Sequence, residues 1–175
     1  AVNEIFDGKF GKANQLLIEE FLQGEEMSFF VVCDGNNYKV FGTAQDHKRV
    51  GEGDKGKNTG GMGAYSPSRL INKDLEKKII NRIILPTLNH LKKNGGTYVG
   101  FLYAGLMIKN NDPYLIEYNV RMGDPECQTI LPLLENDFAG LINKCIEGDL
   151  INEEIKWKNK KRICVVLTSK GYPDD

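Results

Sequence analysis

The chain has 175 residues, 41% of them hydrophobic, and its 23 basic and 24 acidic residues leave a net charge of −1. This length suits one moderate hydrophobic core, and the balanced charge, with no basic run beyond K-N-K-K-R at 158–162, argues against nucleic acid as a partner. No apolar run approaches the ~20 residues of a membrane helix, and A-V-N-E-I-F at 1–6 lacks the regions of a signal peptide. We therefore expect a cytoplasmic protein without a membrane partner.

The cysteines do not indicate a metal site or a disulfide framework. Cys33, Cys127, Cys145 and Cys164 are far apart in the sequence, and no two of them form a C-x-x-C pair. Only two histidines are present to assist them. Because zinc sites and disulfide scaffolds depend on close, regular spacing, we expect four reduced thiols.

The first part of the chain predicts three antiparallel strands after an end segment. Residues 1–14 contain apolar side chains but no capped helix, and they have the character of the end of a preceding unit. Residues 16–22 (L-L-I-E-E-F-L) have the composition of a buried strand. Residues 27–32 and 38–41 are apolar and flank D-G-N-N, which is typical of a β-hairpin turn.

Residues 45–67 form a long stretch with six glycines. Stretches of this length without secondary structure are usually functional or disordered. The N-T-G-G-M-G centre could bring backbone N–H groups close to an anionic ligand, because glycine permits close approach. It matches neither a Walker loop nor a dinucleotide-binding turn, and taken alone the stretch is better explained as a flexible surface loop.

A helix and a strand pair follow. Apolar residues recur at helical spacing between positions 75 and 91, which predicts a core-packing helix from Asn72. Pro86 should kink or divide this helix, and N-G-G at 94–96 should end it. Residues 99–108 then predict a long buried strand, and 109–113 a turn into a return strand.

The return strand leads into a dense set of charged and amide side chains, Y-L-I-E-Y-N-V-R-M-G-D-P-E-C-Q at 114–128. Glu117, Asn119 and Arg121 fall at alternate positions, so an extended backbone points them to one face. A carboxylate and an amide oxygen can share one Mg²⁺ ion, and a guanidinium beside them can pair two oxygens of a phosphoryl or carboxylate group. The alternative is a strand end with a solvated Glu/Arg pair, and spacing alone does not decide between them.

The remaining residues predict two short helices, at 127–135 and 137–147, and a polar linker at 157–162. Residues 163–168 predict a last strand, followed by a turn at 169–173. This strand has no visible partner in the sequence, which suggests that the chain is truncated.

Six motifs occur in one order along the chain and cover nearly all of it: E-E-F-L-x-G-E-E, Q-D-H-K-R, N-T-G-G-M-G-A-Y-S-P, G-x-L-Y-A-G-L-M, E-Y-N-V-R-M-G-D-P-E-x-Q and S-K-G-Y-P. Each motif is weak alone, but together they resemble the phosphoribosylamine-glycine ligase (glycinamide ribonucleotide synthetase) family of ATP-grasp enzymes. The resemblance implies an α+β ATP-grasp fold, with a largely antiparallel sheet flanked by helices and truncated at both ends. It implies the end of a first ATP-grasp subdomain at 1–18, a second subdomain at 19–160 and the start of a C-terminal domain at 161–175.

The resemblance also implies an ATP-dependent carbon-nitrogen ligase of de novo purine biosynthesis. Glycine and 5-phosphoribosylamine would be joined through glycyl phosphate, with ATP and Mg²⁺ (or Mn²⁺) as cofactors and these small molecules as the partners. The nucleotide-binding residues would be a segment that meets adenine and a carboxylate that takes the ribose hydroxyls. These are Glu19, Glu20, Phe21 and Leu22 for adenine, and Glu26 for the ribose.

For the reacting groups, the resemblance implies Glu117 and Asn119 as metal ligands and Arg121 as the catalytic residue beside the transferred phosphoryl group. A larger set would line the region of glycine and phosphoribosylamine. Its members are Asp46, Lys48, Asn58, Thr59, Gly60, Gly61, Met62, Gly63, Asp124, Pro125 and Glu126.

The sequence departs from the family pattern in ways that keep a second hypothesis open. The family's N-terminal domain and its earlier lysine- and glycine-containing segment have no counterpart in these residues, so we expect the chain alone to be an inactive fragment. Residues 99–108 contain no carboxylate for a second Mg²⁺ ion. The alternative is a non-catalytic nucleotide-binding ATP-grasp module. The joint presence of Glu117, Asn119 and Arg121 favours the ligase over this alternative.

Overall fold

The protein is described by a computed structural model that covers residues 2–174. Eight strands are present in these residues: β1 (Glu25–Asp34), β2 (Tyr38–Asp46), β3 (Arg49–Gly51), β4 (Lys55–Asn58), β5 (Gly63–Ser66), β6 (Val99–Lys109), β7 (Asp112–Asn119) and β8 (Arg162–Val165). Six of them form one sheet in the order β7-β6-β1-β2-β5-β8, and every neighbouring pair is antiparallel. The short strands β3 and β4 form a separate hairpin.

Five α-helices accompany the sheet: α1 (Val2–Phe6), α2 (Lys73–Ile79), α3 (Leu85–Lys93), α4 (Glu126–Ile130) and α5 (Phe138–Glu147). A π-helical turn at Ile80–Ile84 joins α2 to α3, and 3-10 turns lie at Leu131–Leu133 and Leu150–Asn152. None of the helices within residues 2–174 combines the length and apolar composition needed to cross a membrane. The expected α+β fold with a largely antiparallel sheet flanked by helices is confirmed.

Strand β1 separates two hydrophobic cores. Its odd-numbered side chains, such as Phe29 and Val31, pack with the α2–α3 helices, whereas Phe30 and Val32 pack with α5 and Trp157 on the other face. Because both faces are covered, residues 27–34 are all buried. This explains why the strand has an unbroken apolar pattern rather than an alternating one.

The predicted β1–β2 hairpin is confirmed, and Asp34 fastens its turn. The buried Asp34 carboxylate accepts hydrogen bonds from the backbone N–H groups of Asn36 (2.8 Å), Asn37 (2.6 Å) and Leu150 (3.0 Å). The first two bonds close the turn, and the third ties it to the 3-10 turn after α5. Burial raises the pKa of Asp34, but these hydrogen bonds outweigh burial and hold it below its ordinary value.

We expect Asp34→Ala to lower the free energy of unfolding by about 2–3 kcal/mol, because it leaves buried backbone donors without partners. Since its pKa is lowered in the folded state, the Asp34 carboxylate stabilises the fold above its ordinary pKa of 3.8, and this stability is lost as the pH falls through the lower folded value. Urea unfolding at pH 7 and below pH 4 measures both effects. The control is Glu52→Gln, at an exposed position; equal losses in the two variants would contradict the role of Asp34.

The helical segment begins and ends as predicted, and it is divided near Pro86 into α2 and α3. The side chain of Asn72 caps α2 by accepting the N–H groups of Asp74 and Leu75, and Gly95 follows α3 with a φ of +85°. The irregular turn lies before Pro86, at Ile80–Ile84. Pro86 is the second residue of α3, and its missing N–H cannot continue the backbone hydrogen bonds from the helical residues before it.

Two predictions near the N-terminus are wrong. Residues 2–6 form the short helix α1, although no capped helix was expected. Residues 16–22 form no strand, and Leu17, Ile18 and Phe21 are about four-fifths exposed. No strand within residues 2–174 pairs with this segment, so its apolar composition has no sheet in which to be buried.

The predictions of a flexible loop at 45–67 and of a last strand without a partner are also wrong. Residues 45–67 are not a structureless loop, because the end of β2, the β3–β4 hairpin and β5 lie within them. The last strand does have a partner, since β8 pairs with β5 through residues such as Ala64 and Cys164. The division of the chain at 1–18, 19–160 and 161–175 remains a prediction, and we note that β8 belongs to the main sheet.

Candidate active site

Strand register places the polar residues of the site on one face of the sheet. Directly paired residues of antiparallel strands share a face, and the pairs Gly105↔Glu117, Tyr103↔Asn119 and Ser28↔Gly105 link β7, β6 and β1. Ser28 also pairs with Ala44 of β2, two residues before Asp46. Side chains alternate along a strand, so Glu117, Asn119, Ser28 and Asp46 lie on the same face.

Glu117 and Asn119 are brought together as the alternating pattern predicted. The Nδ2 of Asn119 donates to Oε1 of Glu117 at 3.1 Å. Gly105 makes room for this arrangement, because a Cβ there would lie 3.2 Å from Cγ of Glu117. A bulge between Gly105 and Leu106 sets the register that aligns Glu117 with this small residue.

The donor set of this pair suits a hard cation. A carboxylate and an amide oxygen are ligands that Mg²⁺ or Mn²⁺ accepts, and two protein ligands leave further positions to phosphate and water. The Asn119 amide presents its nitrogen to Glu117, so holding a cation requires the amide to turn its oxygen to the same place. Within residues 2–174 no group of three or more His, Cys, Asp or Glu side chains is placed to hold a metal. Glu117 and Asn119 as metal ligands therefore remain a prediction that the residue types fit.

A cleft of about 620 Å³ is lined by the segment before β1 and by residues of β1, β2 and β6. Its lining includes predicted nucleotide residues and predicted substrate residues: Phe21, Leu22, Glu26, Asp46 and Lys48. Met107 and His47 contribute to the wall as well. A small cavity of about 20 Å³ adjoins the cleft through Glu26, Asp46 and Lys48, and Glu117 lines its far side.

A lysine and a glutamate pair across the cleft wall. Nζ of Lys48 lies 3.2 Å from Oε2 of Glu26. Burial lowers the pKa of Lys48, but the carboxylates of Glu26, Asp46 and Glu117 outweigh burial and raise the pKa above its ordinary value. Lys48 is therefore a stable cation between the predicted ribose carboxylate and the predicted metal ligand.

Asp46 is the most perturbed carboxyl group of the cleft. Burial and the nearby carboxylate of Glu126 raise its pKa to about 7, although Lys48 and the N–H of His47 oppose this shift. Its Oδ1 atom is buried and accepts no hydrogen bond within residues 2–174. Because unpaired buried oxygens are rare in folded proteins, Asp46 is suited to accept a hydrogen bond from a ligand or to carry a proton near pH 7.

The glycine-rich residues 58–63 are held in place by His47 and Lys48, which follow β2. The N–H groups of Thr59 and Met62 donate to the carbonyls of Lys48 (2.7 Å) and His47 (2.8 Å). The N–H of Gly61 donates to Oγ1 of Thr59 at 3.0 Å. These backbone donors are already occupied, so in this conformation the stretch is neither an open anion cradle nor a flexible loop.

Gly61 is the point where three parts of the site meet. A Cβ on Gly61 would lie 2.5 Å from Cδ of Pro125, 2.9 Å from Oδ1 of Asp46 and 3.2 Å from the carbonyl oxygen of Asp124. Only a residue without a side chain fits between Asp46 and the loop 123–126. Gly61 also has a φ of +126°, which side chains with a Cβ rarely adopt.

We expect Gly61→Ala to destabilise the fold by about 3 kcal/mol or to separate the 123–126 loop from Asp46, because the added methyl overlaps backbone atoms. Gly53→Ala is the matched control, since Gly53 has a φ of +69° but nothing within 4 Å of an added Cβ. The control should cost only about 1 kcal/mol from its backbone conformation. Thermal and urea unfolding compare the two variants, and equal losses would show that Gly61 is not tightly packed.

The other predicted residues occupy less enclosed positions. Glu19 and Glu20 are exposed in the irregular segment before β1, and Asn58 is exposed at the end of β4. Arg121 is exposed just beyond β7, and its Nη1 donates to the carbonyl of Met122 at 2.9 Å. Asp124 is exposed and accepts a hydrogen bond from Gln128 at 2.7 Å. Arg121 follows β7, the strand that carries Glu117, and is not among the described residues that line the cleft or the small cavity.

Sequence reasoning missed two residues that contact the predicted substrate residue Glu126. Glu126 is 2% exposed, and its Oε1 accepts hydrogen bonds from Ser28 and Tyr103, each at 2.8 Å. Tyr103 lies inside the G-x-L-Y-A-G-L-M motif, and Ser28 is a polar residue within the apolar run of β1. The polar Ser28 in an otherwise apolar strand could have indicated a buried hydrogen bond. Its partner Glu126, however, lies 98 positions away in the sequence.

Known proteins resemble this chain over most of its length. Residues 1–127 match the family model of the phosphoribosylglycinamide synthetase ATP-grasp (A) domain. The chain is 46% identical over 174 residues to a phosphoribosylamine-glycine ligase of Mesorhizobium japonicum, which covers 99% of this chain and 41% of that protein. It is 48% identical over 172 residues to a ligase of the same name from Vigna unguiculata, covering 97% of this chain and 55% of that protein.

A solved structure gives the same relationship. The crystal structure of phosphoribosylamine-glycine ligase from Thermotoga maritima matches 89% of this chain and 39% of its own chain, with a TM-score of 0.80 and 40% sequence identity. The chain thus spans about two-fifths to just over half the length of these relatives. The motif resemblance, the sheet and the matched residues lead to one conclusion. The chain belongs to the phosphoribosylglycinamide synthetase ATP-grasp (A) domain family.

Proposed function

We propose that this chain forms the nucleotide-binding and carboxylate-activating part of a phosphoribosylamine-glycine ligase of purine biosynthesis. The reaction joins glycine to 5-phosphoribosylamine and converts ATP to ADP and phosphate. One observation supports it above the others: Glu26, Asp46 and Lys48 line both the large cleft and the small cavity that reaches Glu117. Predicted nucleotide, substrate and metal residues therefore share one continuous wall.

The nucleotide end of the cleft is assigned from its apolar lining. Phe21, Leu22 and Met107 offer apolar surface for adenine, while the carboxylate of Glu26 can accept the ribose hydroxyls. Glu19 and Glu20 precede these residues and are exposed. Lys48 neutralises Glu26 and supplies a positive charge toward the phosphates.

The phosphate end is assigned to Glu117, Asn119 and Arg121. Glu117 and Asn119 would hold Mg²⁺ or Mn²⁺, which neutralises negative charge on the nucleotide phosphates when it is bound. The guanidinium of Arg121 has the geometry to pair two oxygens of the transferred phosphoryl group. Turning Arg121 toward the cleft requires it to release the carbonyl of Met122.

The chemistry needs positioning and charge more than covalent protein groups. A carboxylate oxygen of glycine attacks the γ-phosphorus, the bond to the β,γ-bridging oxygen breaks, and ADP leaves with the electron pair. The nitrogen of phosphoribosylamine then attacks the carbonyl carbon of glycyl phosphate, the carbon–oxygen bond to phosphate breaks, and the nitrogen loses a proton. Glycinamide ribonucleotide, ADP and phosphate result.

Asp46 and Glu126 supply negative charge beside the proposed binding region of glycine and phosphoribosylamine. Glycine and phosphoribosylamine each carry an amino group, and Oδ1 of Asp46 accepts no hydrogen bond from the residues that the structure describes. Residues 59–63 and 123–126 close around this point through Gly61. They would keep water from glycyl phosphate, since hydrolysis of the intermediate wastes ATP.

The test is substrate-dependent ADP formation by the full-length gene product that carries this sequence. ADP should appear only when glycine and phosphoribosylamine are both present, with glycinamide ribonucleotide in equal amount. A protein that binds ATP but forms no ADP under these conditions would instead be a non-catalytic nucleotide-binding module. The partners proposed are these small molecules, in the cytoplasm.

A further inference from the structure

We propose that Ser28 and Tyr103 are positioning residues that hold the Glu126 carboxylate, and through it the 123–126 loop, against Asp46 and the glycine-rich residues of the cleft. The inference rests on the proposed function for its kinetic consequence. Its structural content is independent of the reaction. Ser28 and Tyr103 line the small cavity beside Glu117, and the role proposed for them is exerted through Glu126.

Three oxygen atoms form a closed triangle. Oγ of Ser28 and the hydroxyl of Tyr103 are 2.9 Å apart, and each lies 2.8 Å from Oε1 of Glu126. All three side chains are less than one-tenth exposed. With two hydroxyl groups on one carboxylate oxygen, the Glu126 side chain has a single orientation in the core.

The burial of an acidic side chain indicates that this triangle is more than core packing. No lysine or arginine within residues 2–174 forms an ion pair with the Glu126 carboxylate. A buried carboxylate held only by hydroxyl groups costs stability that an apolar residue would not cost. Tyr103 keeps its proton to do this, because burial and the adjacent Glu126 raise the pKa of its hydroxyl.

The 123–126 loop connects this triangle to the cleft. Gly123 packs directly against the carboxyl group of Glu126, where a Cβ would overlap both carboxylate oxygens. Pro125 and the carbonyl of Asp124 in turn contact Gly61, which contacts Oδ1 of Asp46. Fixing Glu126 therefore fixes the loop, and the loop fixes the spacing between Asp46 and residues 59–63.

The test uses Tyr103→Phe and Ser28→Ala in the full-length gene product, with Tyr98→Phe as the matched control. Tyr103→Phe keeps the ring that packs 4.5 Å from Phe30, and Tyr98→Phe also loses one hydroxyl bond, to the carbonyl of Phe101, in the opposite core. We expect amide hydrogen exchange at Met62 and Cys127 to rise about tenfold in the first two variants and not in the control. Exchange in α5 should be unchanged in all three.

The kinetic readout separates positioning from general destabilisation. In the two site variants we expect kcat/KM for phosphoribosylamine to fall about tenfold while KM for ATP stays within about twofold, because Glu126 and the 123–126 loop belong to the predicted substrate region rather than to the predicted adenine segment. The double variant should fall no further than the lower single variant.

Unchanged exchange at Met62 and Cys127 in both variants overturns the inference, whatever the activity of the parent protein. If Tyr103→Phe does not fold, Ser28→Ala decides the question by the same exchange measurement. A parent protein that forms no product, but whose variants show the local rise in exchange, would contradict the proposed function and leave the positioning role supported.

Discussion

Glu117→Gln is expected to lower kcat at saturating ATP and Mg²⁺ by about a hundredfold or more, while the free energy of unfolding changes little. The substitution keeps the size of the side chain and its place opposite Gly105 but removes the negative charge that a cation needs. Turnover should suffer far more than folding, because the side chain is exposed and its described partner is the amide of Asn119.

The matched control is Asp112→Asn, which removes a carboxylate at the opposite end of the same strand. Asp112 pairs with Lys78 and Arg82 on the surface, away from the cleft, so its loss should leave kcat unchanged. Steady-state kinetics and urea unfolding are measured on both variants. If the Glu117→Gln protein had the parent rate at saturating Mg²⁺, Glu117 would not be a metal ligand but a solvated residue at a strand end.

Asp46→Asn is expected to raise stability and abolish most of the activity. The pKa of Asp46 is about 7 in the folded protein and 3.8 ordinarily, so the folded state binds a proton more tightly than the unfolded state. Stability from this group is fully present below pH 4 and is lost as the pH rises through 7. Because the side chain is partly open to solvent, we expect Asn to restore about 2 kcal/mol at pH 8 rather than the full value of the shift.

The activity of Asp46→Asn should fall at least about tenfold, since an amide cannot supply a negative charge to an amino group. Unfolding free energies of parent and variant are compared at pH 5 and pH 8, with the exposed Asp54→Asn as the control. The stability gain should grow between these values only for Asp46. If the Asp46→Asn variant were less stable than the parent at pH 8, the ionised Asp46 carboxylate would not destabilise the fold.

The sequence predicted those parts of the fold and site that local pattern controls. The period-2 spacing of Glu117 and Asn119 was enough to place them together, because a strand alternates its side chains whatever its neighbours are. The D-G turn at Asp34 and the cap at Asn72 depend on contacts within a few residues. These elements occur as predicted.

What the sequence could not supply is pairing between distant segments. Residues 16–22 have the composition of a strand, but a strand needs a neighbour, and the pattern contains no information about whether one is present. The register that sets Ser28, Tyr103 and Asp46 on the face of Glu117 depends on three strand pairings at once. The sequence favours a flexible loop at 45–67, yet Gly61 within it lies in close contact with Pro125.

We propose that glycine is activated by phosphorylation in this cleft, and oxygen transfer from glycine to phosphate is the measurement that tests this step. The full-length gene product carrying this sequence is supplied with glycine labelled with ¹⁸O in both carboxylate oxygens, together with ATP and phosphoribosylamine. Attack by the carboxylate on the γ-phosphorus followed by loss of phosphate should place one labelled oxygen in each phosphate formed, measured by mass spectrometry. Phosphate released without label while glycinamide ribonucleotide accumulates would contradict the account.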